Sequence, residues 1–352
     1  IEAAHRRASE RSGANTVPEA IESEITPYIS KHDWTSRVCG WNIVDCAVRS
    51  RNFVSLVLRK FPEGNEPSPG WDHQIPTRTV QIKLNRTVEE GRIGSGVIDN
   101  IGNPKIGVCQ YPIAQDLVFT PEEFGTVSAS GSGARGLEKI APTLESPGIK
   151  RIVCIHGRAY AVGLLRQVYK RVEIGRWEKL PEEGLFSRGF SGESPAWMGF
   201  RDMDGPNEEC LYAVGGHGEV FLFDGSQWRQ CDFPSNEQLA TVTVAPNGDV
   251  YITGEAGNIW LGREDTWTLI HRGDSSILNR DSVWFNDMLW VSSDYQTRVV
   301  QGEKVSPIMY GGEPQWLAGH MDARDGILVI AGQQNVRMFD GKHWHWLIQP
   351  YE

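Results

Sequence analysis

Apolar and polar positions alternate through most of the chain in short runs broken by turns. Residues 249–270, DVYITGEAGNIWLGREDTWTLI, hold two such runs joined by Glu-Ala-Gly, with Trp267 opening a third. Alternation of β-branched and aromatic residues with period two, bounded by glycine-bearing turns that accept positive φ, predicts antiparallel strands with one side in an interior. Over 240–270 the order reads ATVTVA, PNG, DVYITG, EAG, NIWLGR, EDT, WTLI. These are four strands and three tight turns.

The unit repeats. CLYAVGGHGEVFLFDGSQWRQC, DVYITGEAGNIWLGREDTWTLI, MLWVSSDYQTRVVQGEKVSPI and ILVIAGQQNVRMFDGKHWHWLI align Gly215, Gly254, Ser293 and Gly332, 39 residues apart at every step. Four antiparallel strands in about 40 residues make one propeller blade. The small residue closes the second strand, where elements crowd and a missing Cβ is tolerated. Trp228, Trp267 and Trp344 follow it by 13, 13 and 12 residues, near the start of the fourth strand. They are expected to pack between blades, where each indole buries roughly 150–250 Å².

RIVCIHGRAYAVGLLRQVYKRVEIGRWEKL supplies a fifth copy, with Gly163 and Trp177 in the same roles. QDLVFTPEEFGTVSASGSGARGLEKI, with Pro121 in place of the small residue, and NIVDCAVRSRNFVSLVLRKFP supply looser sixth and seventh copies. The expected fold is therefore all-β, a seven-bladed propeller with six blades as the alternative. It spans 34–352 as one domain with insertions near 62–104 and 187–209, and TRTVQIKLN within the first is read as an outer strand. Residues 1–33 lack the pattern. Val17, Ile21 and Ile25 at helical spacing, with Pro18 near the start and Pro27 near the end, predict one short helix there. The last unit contains its own fourth strand, HWHWLI, so the ring need not borrow an N-terminal strand to close.

Composition narrows the function classes. With 38 Gly, 19 Pro and 13 Trp, and no apolar run near the ~18 residues of a membrane helix, the expectation is a soluble, turn-rich protein without a membrane partner. Forty-five acidic against 35 basic side chains give a net charge of −10. That disfavours nucleic acid, whose binding needs clustered Lys and Arg, and makes a basic protein partner electrostatically easier. The six cysteines, Cys39, Cys46, Cys109, Cys154, Cys210 and Cys231, are scattered without a CxxC pair and are read as reduced, in a cytoplasmic monomer. The N-terminus carries charges at both ends of IEAAHRRASERSGANTVPEA and does not read as a secretory signal.

LYAVGGHGEVFLFDGSQWRQ resembles the bacterial propeller repeats grouped as WD40/YVTN/BNR-like, in which a YAVG strand, a Gly turn, an apolar strand, DG and W recur. The resemblance holds over residues 150–350 and implies the propeller fold. It leaves function open among sialidases, assembly factors, surface binding proteins and inhibitors. The Asp-box of sialidases, S-x-D-x-G-x-T-W, is missing: the nearest fragment, REDTWTL, lacks its serine and glycine.

Asp202, Asp204, Asn207, Glu208 and Glu209 in RDMDGPNEE offer hard oxygen ligands in a glycine-bearing segment, but the spacing is not that of an EF-hand. A solvated acidic loop is favoured, and Asp202, Asp204, Glu208 and Glu209 become the candidate partner-binding residues. His343 and His345 share one face of a strand with no third metal ligand in view, and His217 sits in a turn. GSGARG at 131–136 reads as a flexible turn; there is no G-x-S-x-G elbow, P-loop or dinucleotide fingerprint. No catalytic residue, cofactor or metal is expected. Two functional readings result. The first is a non-catalytic propeller whose rim loops bind another protein, most sharply an immunity protein neutralising a toxin. The second is a glycan-processing hydrolase or lyase with acids such as Asp116 and Asp322 at the central channel, where carboxylates about 5–9.5 Å apart suit glycoside hydrolysis.

Overall fold

The computed structural model describes residues 21–22, 28–60, 71–121, 125–134, 136–141, 148–186, 199–273, 278–310, 313–314 and 317–351. Seven antiparallel four-stranded sheets follow one another along the chain, each paired in sequence order from first strand to fourth. Blade 1 comprises Trp41–Ser50, Phe53–Lys60, Thr77–Lys83 and Ile93–Ile98; blade 2, Lys105–Cys109, Gln115–Phe119, Thr126–Gly131 and Leu137–Lys139. Blade 3 comprises Ile149–Ile155, Arg158–Gly163, Val168–Glu173 and Arg176–Lys179; blade 4, Phe200–Asn207, Cys210–Gly215, Glu219–Phe223 and Trp228–Gln230. Blade 5 comprises Leu239–Val244, Val250–Gly254, Ile259–Arg263 and Thr266–His271; blade 6, Asp281–Phe285, Met288–Ser292, Thr297–Gln301 and Lys304–Pro307; blade 7, His320–Arg324, Ile327–Ala331, Val336–Phe339 and His343–Ile348.

The repeated small residue has a steric cause. Gly163 faces Ile149 and Gly215 faces Phe200 across the first strand pair. A Cβ on Gly215 would lie 2.0 Å from the Gly199 carbonyl oxygen, and one on Gly163 would lie 2.3 Å from that of Gly148. The chain entering each first strand crosses the end of the second there, leaving room for backbone only.

The tryptophans pack blades 3, 4, 5 and 7 each on the blade before it. Trp228 of blade 4 is 2% exposed and shares a core with Tyr160 and Val162 of blade 3. Trp344 of blade 7 lies 6.2 Å, centroid to centroid, from Trp290 of blade 6, and Trp267 of blade 5 lies 6.5 Å from Tyr212 of blade 4. The indole N–H of Trp177 in blade 3 donates to Glu138 of blade 2 at 3.0 Å. Trp267 and Trp177 are half-buried.

Blade 7 draws all four regular strands from the C-terminal repeat, as its sequence implies. A short N-terminal helix is present as expected, but it follows the stretch from Val17 to Ile25. Ile21–Glu22 is a strand running parallel to His343–Trp344 and adds a fifth member to blade 7; residues 1–20 and 23–27 lie outside the described residues. The short helix, α1, is Lys31–Arg37, started by Ser30, whose hydroxyl oxygen accepts from the Asp33 N–H at 3.1 Å. Blades 7 and 1 meet through a shared apolar core holding Ile43, Leu56, Ile327 and Val329. The Val48 N–H donates to Asp322 at 2.7 Å and the Ile43 N–H to the Gln333 carbonyl at 2.9 Å.

Of the stretch 62–104 read as an insertion, Thr77–Lys83 and Ile93–Ile98 are the two outer strands of blade 1. Of 187–209, Phe200–Asn207 is the innermost strand of blade 4.

Candidate functional site: the channel and the turn face

The first strand of each blade lines a central channel that encloses about 1240 Å³. Inner strands run in one direction around the ring, so equivalent positions form tiers. Arg151, Asp202, Thr241, Asp281 and His320 each pair with the residue that ends or immediately precedes the end of the second strand, Val162, Val214, Thr253, Ser292 and Ala331. One tier therefore brings together a cation, two carboxylates, a hydroxyl and an imidazole from blades 3 to 7. Arg151 Nε lies 3.2 Å from Asp202, and its guanidinium also reaches Asp281, three blades away across the channel. The His320 Nδ1 atom lies 3.1 Å from Asp281 and 3.4 Å from Asp45, and Lys105 Nζ stands 3.5 Å from His320 Nε2.

The carboxylates have a second duty that repeats around the ring. Each accepts a backbone N–H from the innermost strand of the following blade. Asp45 takes Ile106 at 3.0 Å, Asp202 takes Val242 at 3.0 Å, Asp204 takes Val244 at 2.7 Å, Asp281 takes Met321 at 3.1 Å, and Asp322 takes Val48 at 2.7 Å. Between blades 5 and 6, hydroxyls replace carboxylates: Ser282 bonds Thr243 at 2.6 Å and Thr241 at 2.7 Å. Inner-strand edges are thus stitched by side chains, which satisfies N–H groups that no neighbouring strand can reach.

Burial pushes Asp202 up to about 6, against the pull of Arg151 and the N–H groups of Val242 and Met203. Burial likewise pushes Asp204 up to about 7. For Asp281 burial works in the same sense, but Arg151 and the His320 hydrogen bond outweigh it and hold the carboxyl below the ordinary range. Acids and an arginine do converge on the channel, the arrangement expected of the glycan-processing alternative. Their oxygens, however, are tied into the fold by backbone hydrogen bonds. Asp204, the carboxyl best tuned for acid catalysis, gives its two oxygens to the Val244 and Gly205 N–H groups. Asp322 lines the channel with both oxygens on Val48 and Ala323. Asp116 does not reach it: it sits on the second strand of blade 2, bonded to Arg49 at 3.5 Å and Ser130 at 3.3 Å.

The candidate partner residues divide accordingly. Asp202 and Asp204 are not in a rim loop; they are on the inner strand, Asp202 buried and Asp204 half-buried. Gly205 and Pro206, which look like turn residues in sequence, fall at a register irregularity near the strand end. Glu208 and Glu209 do form the turn between the first two strands of blade 4, with Glu209 exposed. Glu208 is ion-paired with Arg158 at 2.8 Å and Lys170 at 2.6 Å. The two histidines His343 and His345 lean toward Asp340, His345 Nε2 at 2.8 Å and His343 Nδ1 at 3.8 Å. His217 bridges to Gln238, and Gly131 ends the third strand of blade 2 before a turn.

In an antiparallel meander the turns after the first and third strands share one end of the blade, so Glu208–Glu209 belongs to a continuous face of turns. In blades 4 to 7 that face is acidic: Glu208, Glu209 and Asp224, then Asp249, Glu264 and Asp265, then Asp287 and Glu303, then Asp325 and Asp340, with Lys342 the cation within the same turns. Arg229 takes Asp265 at 2.7 Å and Arg263 takes Asp249 at 3.4 Å. Glu209, Asp287 and Glu303 have no ion-pair partner among the described residues. Sequence reasoning found Glu208 and Glu209 and missed this crescent, although its members recur at the turns of the 39-residue unit.

The chain is 31% identical over 241 residues to the immune protein Tsi7 of Pseudomonas aeruginosa, a match spanning 67% of this chain and 77% of that protein. The chain belongs to the Tsi7 immune-protein family. Among solved structures, the WD40 β-propeller domain of Doa1 matches with a TM-score of 0.56 at 11% identity, covering 85% of this chain and 93% of its own. YCF48 bound to D1 peptide matches with a TM-score of 0.52 at 12% identity, covering 91% and 94%. At such identities these two establish the propeller fold alone. No protein-family model matches the chain. Kinship with an immune protein, on a propeller whose channel carboxylates are spent on holding blades together, fits a non-catalytic, protein-binding role.

Proposed function

We propose that this protein is an immunity protein that binds and neutralises a protein toxin, and that the toxin docks on the acidic turn face of blades 4 to 7. The observation that carries the reading is the 31% identity with the immune protein Tsi7 over most of both chains. The charge of the turn face supports a basic partner, since complementary potentials steer encounter and raise association rates. Rigid blades hold variable turns at fixed positions, which suits recognition without catalysis. Six unpaired cysteines fit a reducing, cytoplasmic site of action.

The test is co-expression with candidate protein toxins from the host of this chain. Restored growth together with a stable complex of the two purified proteins is the expected result. Continued toxicity with no complex would overturn the proposal.

A further inference from the structure

The turn face is not uniform. Over blades 2 and 3 it carries an aromatic side chain where blades 4 to 7 carry acids. The turn between the first two strands of blade 2 spans 110–114, against two residues in the equivalent turns of blades 1, 3, 4, 6 and 7, and it holds Tyr111, 48% exposed. The segment is not left loose: the N–H groups of Gln110 and Tyr111 both donate to the Gly157 carbonyl of blade 3, at 2.7 and 2.8 Å. The Arg158 guanidinium lies 4.0 Å from the centre of the Tyr111 ring. Arg158 in turn is held by Glu208 of blade 4, which Lys170 of blade 3 also grips. Ring, guanidinium and carboxylate form a chain across three blades that fixes the tyrosine and leaves much of its ring in water.

Exposed tyrosines backed by arginine, already ordered before binding, are what interface anchors require: large contact area, few torsions to freeze and a polar tip. Leu137, 67% exposed at the start of the fourth strand of blade 2, adds apolar surface on the same face. We infer that Tyr111, braced by Arg158 and Glu208, is the anchor by which the partner docks, and that the acidic crescent beginning at Glu209 meets basic groups around the pocket that receives it. This rests on the reading of the chain as a toxin-binding immunity protein. The occupant it fits is a protein presenting an apolar pocket rimmed by Lys and Arg. The opposite end of the channel also exposes a tyrosine, Tyr295, at 66%. There the mouth is lined by Lys150 and Arg201, with Arg280 paired to Asp294, a rim that is net positive and so the wrong sign for a basic partner.

Binding kinetics of the full chain against the toxin that it neutralises in co-expression test this with two single variants, Tyr111→Ala and Tyr295→Ala. Both side chains are exposed, and circular dichroism checks that both variants fold. The expected result is a Kd about 30-fold weaker for Y111A, chiefly through faster dissociation, with Y295A within about twofold of the parent. Y111A within about twofold of the parent, or Y295A the weaker binder, overturns the anchor while leaving the function standing. Failure of the unaltered chain to bind overturns the function itself, and this placement with it.

Discussion

Arg151 and Asp281 bond across the propeller's axis, joining the third blade to the sixth. In a ring whose neighbours touch only side by side, this is a diametric brace. It works because the same guanidinium also holds Asp202 of blade 4, so that two buried carboxylates share one cation, and Asp281 fastens the Met321 amide of blade 7. The channel that could have housed chemistry is instead crossed by a structural tie.

Removing that cation should be costly. Arg151→Met leaves Asp202 and Asp281 buried without their main counter-charge, and breaking one side of a buried ion pair costs about 3 kcal/mol or more. Urea denaturation should register a loss of that order for R151M. The R151M/D281L double variant should lose less than the sum of the two single changes, because the partners act as a unit. Strict additivity would mean the brace carries no coupling.

The channel carboxyls also set a pH dependence with a definite sign. Asp202 at about 6 and Asp204 at about 7 hold protons in the folded chain that the unfolded chain, titrating near ~3.9, has released. Where the folded state binds more protons, stability falls as pH rises, so these two groups weaken the fold between about pH 4 and pH 7. Asp224 and Asp340, both held down to about 2, work oppositely, but their contribution is lost only as pH falls below about 4. Asp204→Asn should therefore flatten the decline between pH 5 and pH 8 by about 1–2 kcal/mol, after discounting for the half-buried position. Parallel denaturation curves for parent and D204N at both pH values would contradict the assignment.

The repeated tryptophans differ in what they hold. Trp228 is enclosed by Phe200 at 5.6 Å and Phe223 at 5.0 Å and bonds the Pro181 carbonyl at 3.0 Å. Trp267, half-buried, meets Phe233 at 5.5 Å and its own turn at Glu264. Trp228→Ala should cost about 3–5 kcal/mol and Trp267→Ala about 1–3 kcal/mol by chemical denaturation. Equal losses would show that exposure does not govern the inter-blade contribution.

The contrast between those residues and the channel explains what the sequence discloses. A small residue at Gly215 and an indole at Trp228 answer steric demands that recur in most blades, so they repeat in sequence and reveal the blade. The channel tier answers an electrostatic demand that is met once for the whole ring. Its members are Arg151, Asp202, Thr241, Asp281 and His320, different in each blade, and the signal is the position rather than the residue type. Counting along the 39-residue register from Asp202 to Thr241, and from Asp281 to His320, would have placed them together. Asp202 and Asp204 instead read as a loop because Gly205-Pro206 follows them, and a strand end with a register shift leaves the same trace as a turn. The N-terminal helix was legible as an element but not in its bounds, for a related reason. Seven residues, Lys31–Arg37, are too few for a 3.6 period to show, while the cap at Ser30 with Asp33 three residues on was the legible mark.

Placing those aspartates in the channel also changes which charges can steer a partner. Reversing Asp202 would remove a carboxylate that Arg151 and the Val242 amide both require, and would report on folding instead of docking. Glu209, Asp287 and Glu303 are exposed and lack ion-pair partners among the described residues, so they act on solvent and on anything approaching the turn face. Exposed charges of this kind alter encounter more than residence. Glu209→Lys, Asp287→Lys and Glu303→Lys combined should slow association with the proposed toxin partner by about tenfold at low salt and flatten its dependence on ionic strength, with dissociation nearly unchanged. The measurement is stopped-flow association from low to physiological salt, with thermal melts confirming an intact fold. An unchanged association rate would place the docking surface elsewhere than on the acidic crescent.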